Sequence, residues 1–264
     1  MGKELLDILN TEQKLEINKE LKLDKSQALE TIIQCFEKDI HNYYITPEDY
    51  FSKRVYNLFK KTNYSYNDVL AFCIELKYLE TKYKDINCPA GEFLNHLIKY
   101  IPEKEININL SHLDTKLEWI CSGDLRGKKI SIIGNLESFG ESMYNGFAYL
   151  KGNAYLCGRG MVSGEIYIDG NVNYLASDME GGKIIVNGNV INIYSNGGEV
   201  EVFGDVKKII IPNKSTIKLH GNYQLYNPKY YTLFKTFNLY HKGKQIIKDG
   251  KPVDGAEIKW AKNY

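Results

Sequence analysis

Apolar positions follow two different rhythms along the chain. Up to about residue 100 they recur every three or four residues, as a helix buried on one face requires. Leu29, Ile32, Ile33, Phe36 and Ile40 follow Asp24 or Ser26 as a cap; Phe51, Val55, Leu58 and Phe59 follow Thr46-Pro47-Glu48-Asp49. Ser65 with Asp68 reads as a capping box ahead of Val69, Phe72, Cys73, Leu76 and Tyr83. Pro89 is expected to open a last helix carrying Phe93, Leu94, Leu97 and Ile98, and residues 1–22 also read as helical. These stripes predict a small bundle over 1–104, with Cys35 and Cys73 in its core.

Beyond residue 104 the rhythm changes to strict alternation. Apolar pairs occur as Ile130/Ile132, Ala148/Leu150, Ile166/Ile168, Ile184/Val186, Val200/Val202 and Ile217/Leu219. Between their members stand Ser131, Tyr149, Tyr167, Ile185, Glu201 and Lys218, so one face of each strand is buried and the other is not. Each pair is followed by a glycine and an amide or acid: Gly134-Asn135, Gly152-Asn153, Gly170-Asn171, Gly188-Asn189, Gly204-Asp205 and Gly221-Asn222. The glycines are spaced 18, 18, 18, 16 and 17 residues apart. Gly146, Gly164, Gly182 and Gly198 precede four of the copies by six residues; Met143, Met161 and Met179 precede three by nine.

A strand recurring once per unit stacks on its copies about 4.8 Å apart. The pattern predicts a single-stranded parallel β-helix over 105–223 with coils of roughly 18 residues. The repeat glycine should turn a corner with positive φ. The asparagines should form an amide ladder along the axis, and the methionines should fill one interior layer. The residue two after each glycine should point inward, as should Phe139, Cys157, Leu175 and Ile193. The whole chain is then an α+β multidomain protein: helical bundle 1–104, β-helix 105–223, and a short capping tail 224–264. In that tail Tyr230, Tyr231, Leu233, Phe234 and Phe237 should close the last coil, and Gly243 and Asp249-Gly250 read as hairpin turns.

At Gly158-Arg159-Gly160-Met161-Val162-Ser163-Gly164-Glu165-Ile166, and from Met179 to Asn189, the chain resembles the GXGXG β-helix domain. That domain closes the large subunit of glutamate synthase, and the same fold occurs within formylmethanofuran dehydrogenase. The resemblance covers about residues 123–223. It implies a right-handed helix that acts as scaffold and interface without catalytic residues of its own. Gly140 and Gly158 keep a further family glycine that Ala176 and Tyr194 lack. No glutaminase, flavin or iron–sulfur segment accompanies it.

Net charge is +1, and only residues 224–264 are basic. A broad nucleic-acid surface is disfavoured, leaving that tail as a weak candidate. There is no apolar run long enough to span a membrane. Five cysteines without a C-x-x-C pair read as reduced thiols in a cytoplasmic protein. His41, His96, His112, His220 and His241 follow no coil register, so neither a zinc site nor an acyltransferase base is expected. No catalytic, cofactor or metal residue stands out.

The expected function is a non-catalytic scaffold, with a protein partner or self-association through outward Tyr149, Tyr167 and Ile185, which should stack as one apolar stripe. The alternatives are a component of a glutamate synthase-like or formylmethanofuran dehydrogenase-like complex, or an enzyme with its site at the helical domain/β-helix junction.

Overall fold

A computed structural model describes residues 26–40, 50–210, 213–226 and 236–259, with side chains from 53 onward in the second of these stretches. Expectations for 1–22, for the cap at 46–49, for His41 and for Tyr230, Tyr231, Leu233 and Phe234 lie outside the described residues. Four helices among the described residues precede a parallel β-solenoid of about six turns. The chain divides into two compact units, 1–120 with 128–135, and 121–127 with 136–264.

The first unit holds α1 (Gln27–Ile40), α2 (Tyr50–Thr62), α3 (Tyr66–Lys82), α4 (Asn87–Tyr100), β1 (Glu105–Asn109) and β2 (Lys129–Ile133). Ser26 caps α1, its hydroxyl accepting from Leu29 N at 3.0 Å. The capping box at α3 forms as expected: Ser65 Oγ accepts from Asp68 N, and Asp68 Oδ2 accepts from Ser65 N. The last helix begins at Asn87, two residues before Pro89. Proline is tolerated in the first turn, where backbone N–H groups have no helical partner. Phe36, Phe72 and Phe93 meet at the bundle centre with centroids 5.2–5.5 Å apart. Cys73 is buried there, whereas Cys35 is only half-buried.

The expected boundary at residue 104 is displaced, because 105–120 is bound to the helices. Tyr66 Oη donates to Asn107 O (2.6 Å) and accepts from Asn107 N (2.8 Å), so a helix side chain occupies both backbone groups of an edge strand. Glu80 accepts from Asp114 N, Thr115 N and Lys77. His112 Nε2 meets Cys73 O at 2.9 Å. Gly91 packs so closely on the Glu118 carbonyl that a Cβ would lie 1.8 Å from it. Lys128, 2% exposed, donates to the carbonyls of Ile101 and Glu103 just past α4.

In the second unit every coil contributes two strands. One sheet runs β4 (Phe147–Lys151), β6 (Glu165–Asp169), β8 (Lys183–Val186), β10 (Glu199–Val202), β12 (Thr216–Leu219), β14 (Asn238–His241), β15 (Lys244–Lys248), β16 (Lys251–Pro252). The other runs β3 (Leu136–Phe139), β5 (Ala154–Cys157), β7 (Val172–Leu175), β9 (Val190–Ile193), β11 (Val206–Ile210), β13 (Tyr223–Tyr226). All these pairings up to β14 are parallel and in register with the repeat, except that β11 shifts register against β13 between Val206 and Ile209. The predicted column Ile132, Leu150, Ile168, Val186, Val202 and Leu219 is at most 1% exposed throughout. Phe139, Cys157, Leu175 and Ile193 are completely buried.

The tail is more than a cap. Its β14 adds a parallel rung on β12, and only β15 and β16 reverse direction. Both reversals are hairpins with positive φ at Lys242-Gly243 and Asp249-Gly250. Phe237 is buried at the entry to β14. The sheet ends on a two-residue strand containing Pro252, a poor template for further pairing. Lys259 O accepts from Leu225 N on β13, the terminal strand of the second sheet.

Candidate interaction surface

The repeated residues occupy fixed stations. The asparagine ladder forms: Asn153 Oδ1 accepts from Asn171 N, Asn171 Oδ1 from Asn189 N, Asn189 Oδ1 from Asp205 N, and Asp205 Oδ1 from Asn222 N, all at 2.7–2.8 Å. Each side chain thus ties down the backbone of the next coil.

Only two of the six repeat glycines adopt the positive φ expected of them. Gly134 and Gly152 have positive φ, but Gly170, Gly188, Gly204 and Gly221 do not. What all four share is proximity. A Cβ on Gly170 would lie 2.0 Å from Gly152 O, and on Gly188, Gly204 or Gly221 it would lie 2.3–2.4 Å from the carbonyl of the glycine below. Coil-on-coil stacking, rather than turn conformation, excludes a side chain. Positive φ belongs to the preceding glycines Gly146, Gly164, Gly182 and Gly198.

The methionines and those glycines form one device. Met143, Met161 and Met179 are fully buried. Their Cε atoms lie 2.5–2.7 Å from where a Cβ on Gly164, Gly182 and Gly198 would be. Each methyl fills the space that the glycine one coil above leaves open. In the next coil a buried Ser195 takes the methionine station and Ser215 the glycine station.

With the interior accounted for, the outward positions remain. On the first sheet Tyr149, Tyr167 and Ile185 stack at adjacent levels, with the tyrosine rings 5.6 Å apart. However, Tyr149 is 2% exposed and therefore buried within the chain itself. Tyr167 and Ile185 are half-buried, and the row continues as Glu201 and Lys218. Lys183 and Lys218 both reach Glu199, at 3.2 and 3.0 Å. Burial pushes that carboxyl up, but the two lysines outweigh it and hold it below the ordinary range. The expected open stripe is thus short, closed at one end and charged at the other.

The second sheet also carries exposed apolar residues. Its strands β5 and β7 bury their first and fourth residues and turn the second and third outward, as Tyr155-Leu156 and Asn173-Tyr174, whereas in β9 Ile191 is exposed and Asn192 is buried. Tyr155 and Ile191 are 40% and 41% exposed. Tyr155 meets Tyr174 edge-on at 5.2 Å, and Tyr174 stacks on Tyr194 at 6.2 Å. The hydrogen bond between the Tyr155 and Tyr174 side chains raises the Tyr155 phenol, and the nearby Glu137 charge adds to this. This face was missed in the sequence because its outward positions are not apolar in every coil. The signal was present in the third and fourth residues after Gly152, Gly170 and Gly188.

Nothing in either face resembles a reaction centre. Among the described residues no group of three His, Cys, Asp or Glu could hold a metal ion. His220 meets Glu201 at 2.9 Å and lies flat on Phe203 at 4.3 Å. His241 contacts Gly221 O. Cys121 and Cys157 are buried and their thiols pushed up by desolvation, the reverse of what a nucleophile needs. A shallow groove of about 550 Å³ lies along Asn189, Ile191, Asp205, Asn222, Tyr223 and Lys259. No described helix is long and apolar enough to cross a membrane. No protein-family model, curated protein or solved structure matches the chain.

Proposed function

We propose that the protein is a non-catalytic scaffold whose solenoid presents the outer face of its second sheet to another protein surface. The observation that carries this reading is the contiguous apolar patch of Tyr155, Leu156, Tyr174, Ile191 and Tyr194, spread over three coils. Stacked tyrosines and an exposed isoleucine bury apolar area at small entropic cost, and such contiguous patches mark interfaces. The interior columns, ladder and glycine rows are all accounted for by coil stacking, which leaves this face as the part of the repeat free to act. The role matches the scaffold duty of the GXGXG domain that residues 123–223 resemble.

The test is a photo-crosslinking amino acid placed at Ile191 or Tyr155 of the full chain, activated in the cells that make it. The reading expects a discrete protein adduct from these positions and none from Lys151. Absence of any adduct at both positions would overturn it.

A further inference from the structure

We propose that this face pairs with the same face of a second copy, in an antiparallel, two-fold symmetric dimer. The inference rests on the scaffold reading and names its partner.

The outward residues are ordered by charge along the sheet. Glu137 stands on β3, the apolar group occupies β5, β7 and β9, and Lys207 and Lys208 stand exposed on β11. The register fixes their order: Leu136, Ala154, Val172, Val190 and Val206 are aligned on successive strands, and the residues that follow them are Glu137, Tyr155, Asn173, Ile191 and Lys207. Tyr174 therefore sits at the centre, two coils from the acidic end and two from the basic end. Glu137 and Lys207 are about 19 Å apart at the usual strand spacing.

A two-fold axis through β7 uses this order. It sets Tyr174 against its own copy, Tyr155 against Ile191 and Tyr194 of the second chain, and Glu137 against Lys207 and Lys208. Every contact occurs twice, as an isologous interface requires. The charges lie at the rim, where complementarity sets register and orientation. A parallel arrangement would instead place Glu137 on Glu137 and the lysines on lysines, at a cost. The apolar centre supplies the contact, and the charges select the antiparallel pairing.

The experiment is sedimentation equilibrium of the purified full chain over a range of concentrations and salt. The dimer is expected at twice 30.4 kDa, weakening as salt rises. Ile191→Asp should abolish it. Glu137→Lys should weaken it about tenfold by opposing lysines, and adding Lys207→Glu and Lys208→Glu to that variant should restore it. Each variant is first shown to unfold at the wild-type temperature. A wild-type monomer at every concentration overturns the dimer, as does Glu137→Lys pairing undiminished or the triple variant staying as weak as Glu137→Lys. A monomer that still gives an adduct of foreign mass from Ile191 in cells removes the dimer and leaves the scaffold reading standing.

Discussion

Ala176 shows how closely neighbouring coils are matched. It has φ +60°, a left-handed backbone that Gly140 and Gly158 adopt freely at the same station. A Cβ on Gly140 would lie 2.3 Å from Cδ1 of Ile166, and on Gly158 2.3 Å from Cδ1 of Ile184. The residue in register with these isoleucines one coil further is Val200, which has no Cδ1. The methyl removed from the valine makes room for the methyl added at the alanine. Ala176→Gly should therefore stabilise the fold by up to about 1 kcal/mol through relief of the left-handed φ. Val200→Ile alone should cost roughly 1–3 kcal/mol through overpacking. In the presence of Ala176→Gly that cost should fall sharply, and a denaturant double-mutant cycle reads the coupling. An additive cycle would mean that the two sites do not touch. The repeat made these stations legible, since Ala176 stands out against Gly140 and Gly158. The reason for the repeat glycines did not show, because a sequence cannot distinguish a residue barred by conformation from one barred by a carbonyl above it.

Among the elements, the ladder and the loop after β1 hold the chain by side chain to backbone contacts. Removing the Asn171 side chain leaves Asn189 N without its acceptor. Asn171→Ala should cost about 1 kcal/mol, whereas Asn171→Asp keeps the acceptor and should cost less. Chemical denaturation of both variants checks the order. In the first unit Glu80 binds the 114–115 backbone. Burial raises its carboxyl, but the hydrogen bonds from Lys77, Thr115 and Asp114 outweigh this and hold it at about 2. A carboxyl depressed on folding stabilises the fold above its unfolded pKa, near 4.5, and loses that contribution as pH falls towards 2. Glu80→Gln should be destabilised at neutral pH, and its deficit against wild type should shrink between pH 4.5 and 2. A pH-independent deficit would show that the ionised form does not matter. Helices α1 and α3 were readable from caps and stripes. The link between residues 105–120 and the helices was not, because Tyr66 and Asn107 are 41 residues apart and neither belongs to a pattern.

For the whole molecule, strict periodicity made the solenoid legible and concealed the surface. Period two identified Ile132 to Leu219 as interior because every coil obeys it. Outward positions vary from coil to coil, and Tyr149, Tyr167 and Ile185 stand out in the sequence only by their likeness to one another. Tyr149 is buried in the structure, although its alternating position reads as outward. The face with Tyr155, Tyr174 and Ile191 is irregular in sequence and continuous in space. An interior that folds and a face proposed to bind make separate demands on the sequence, and one paired measurement tests that separation: thermal unfolding and sedimentation of Ile168→Asp and Ile191→Asp side by side. Ile168, fully buried, should lose several kcal/mol as aspartate and unfold early. Ile191→Asp should unfold within about 0.5 kcal/mol of wild type, as exposed substitutions do, and yet fail to associate. Ile191→Asp that destabilises the fold as Ile168→Asp does, or that associates as wild type does, would contradict it.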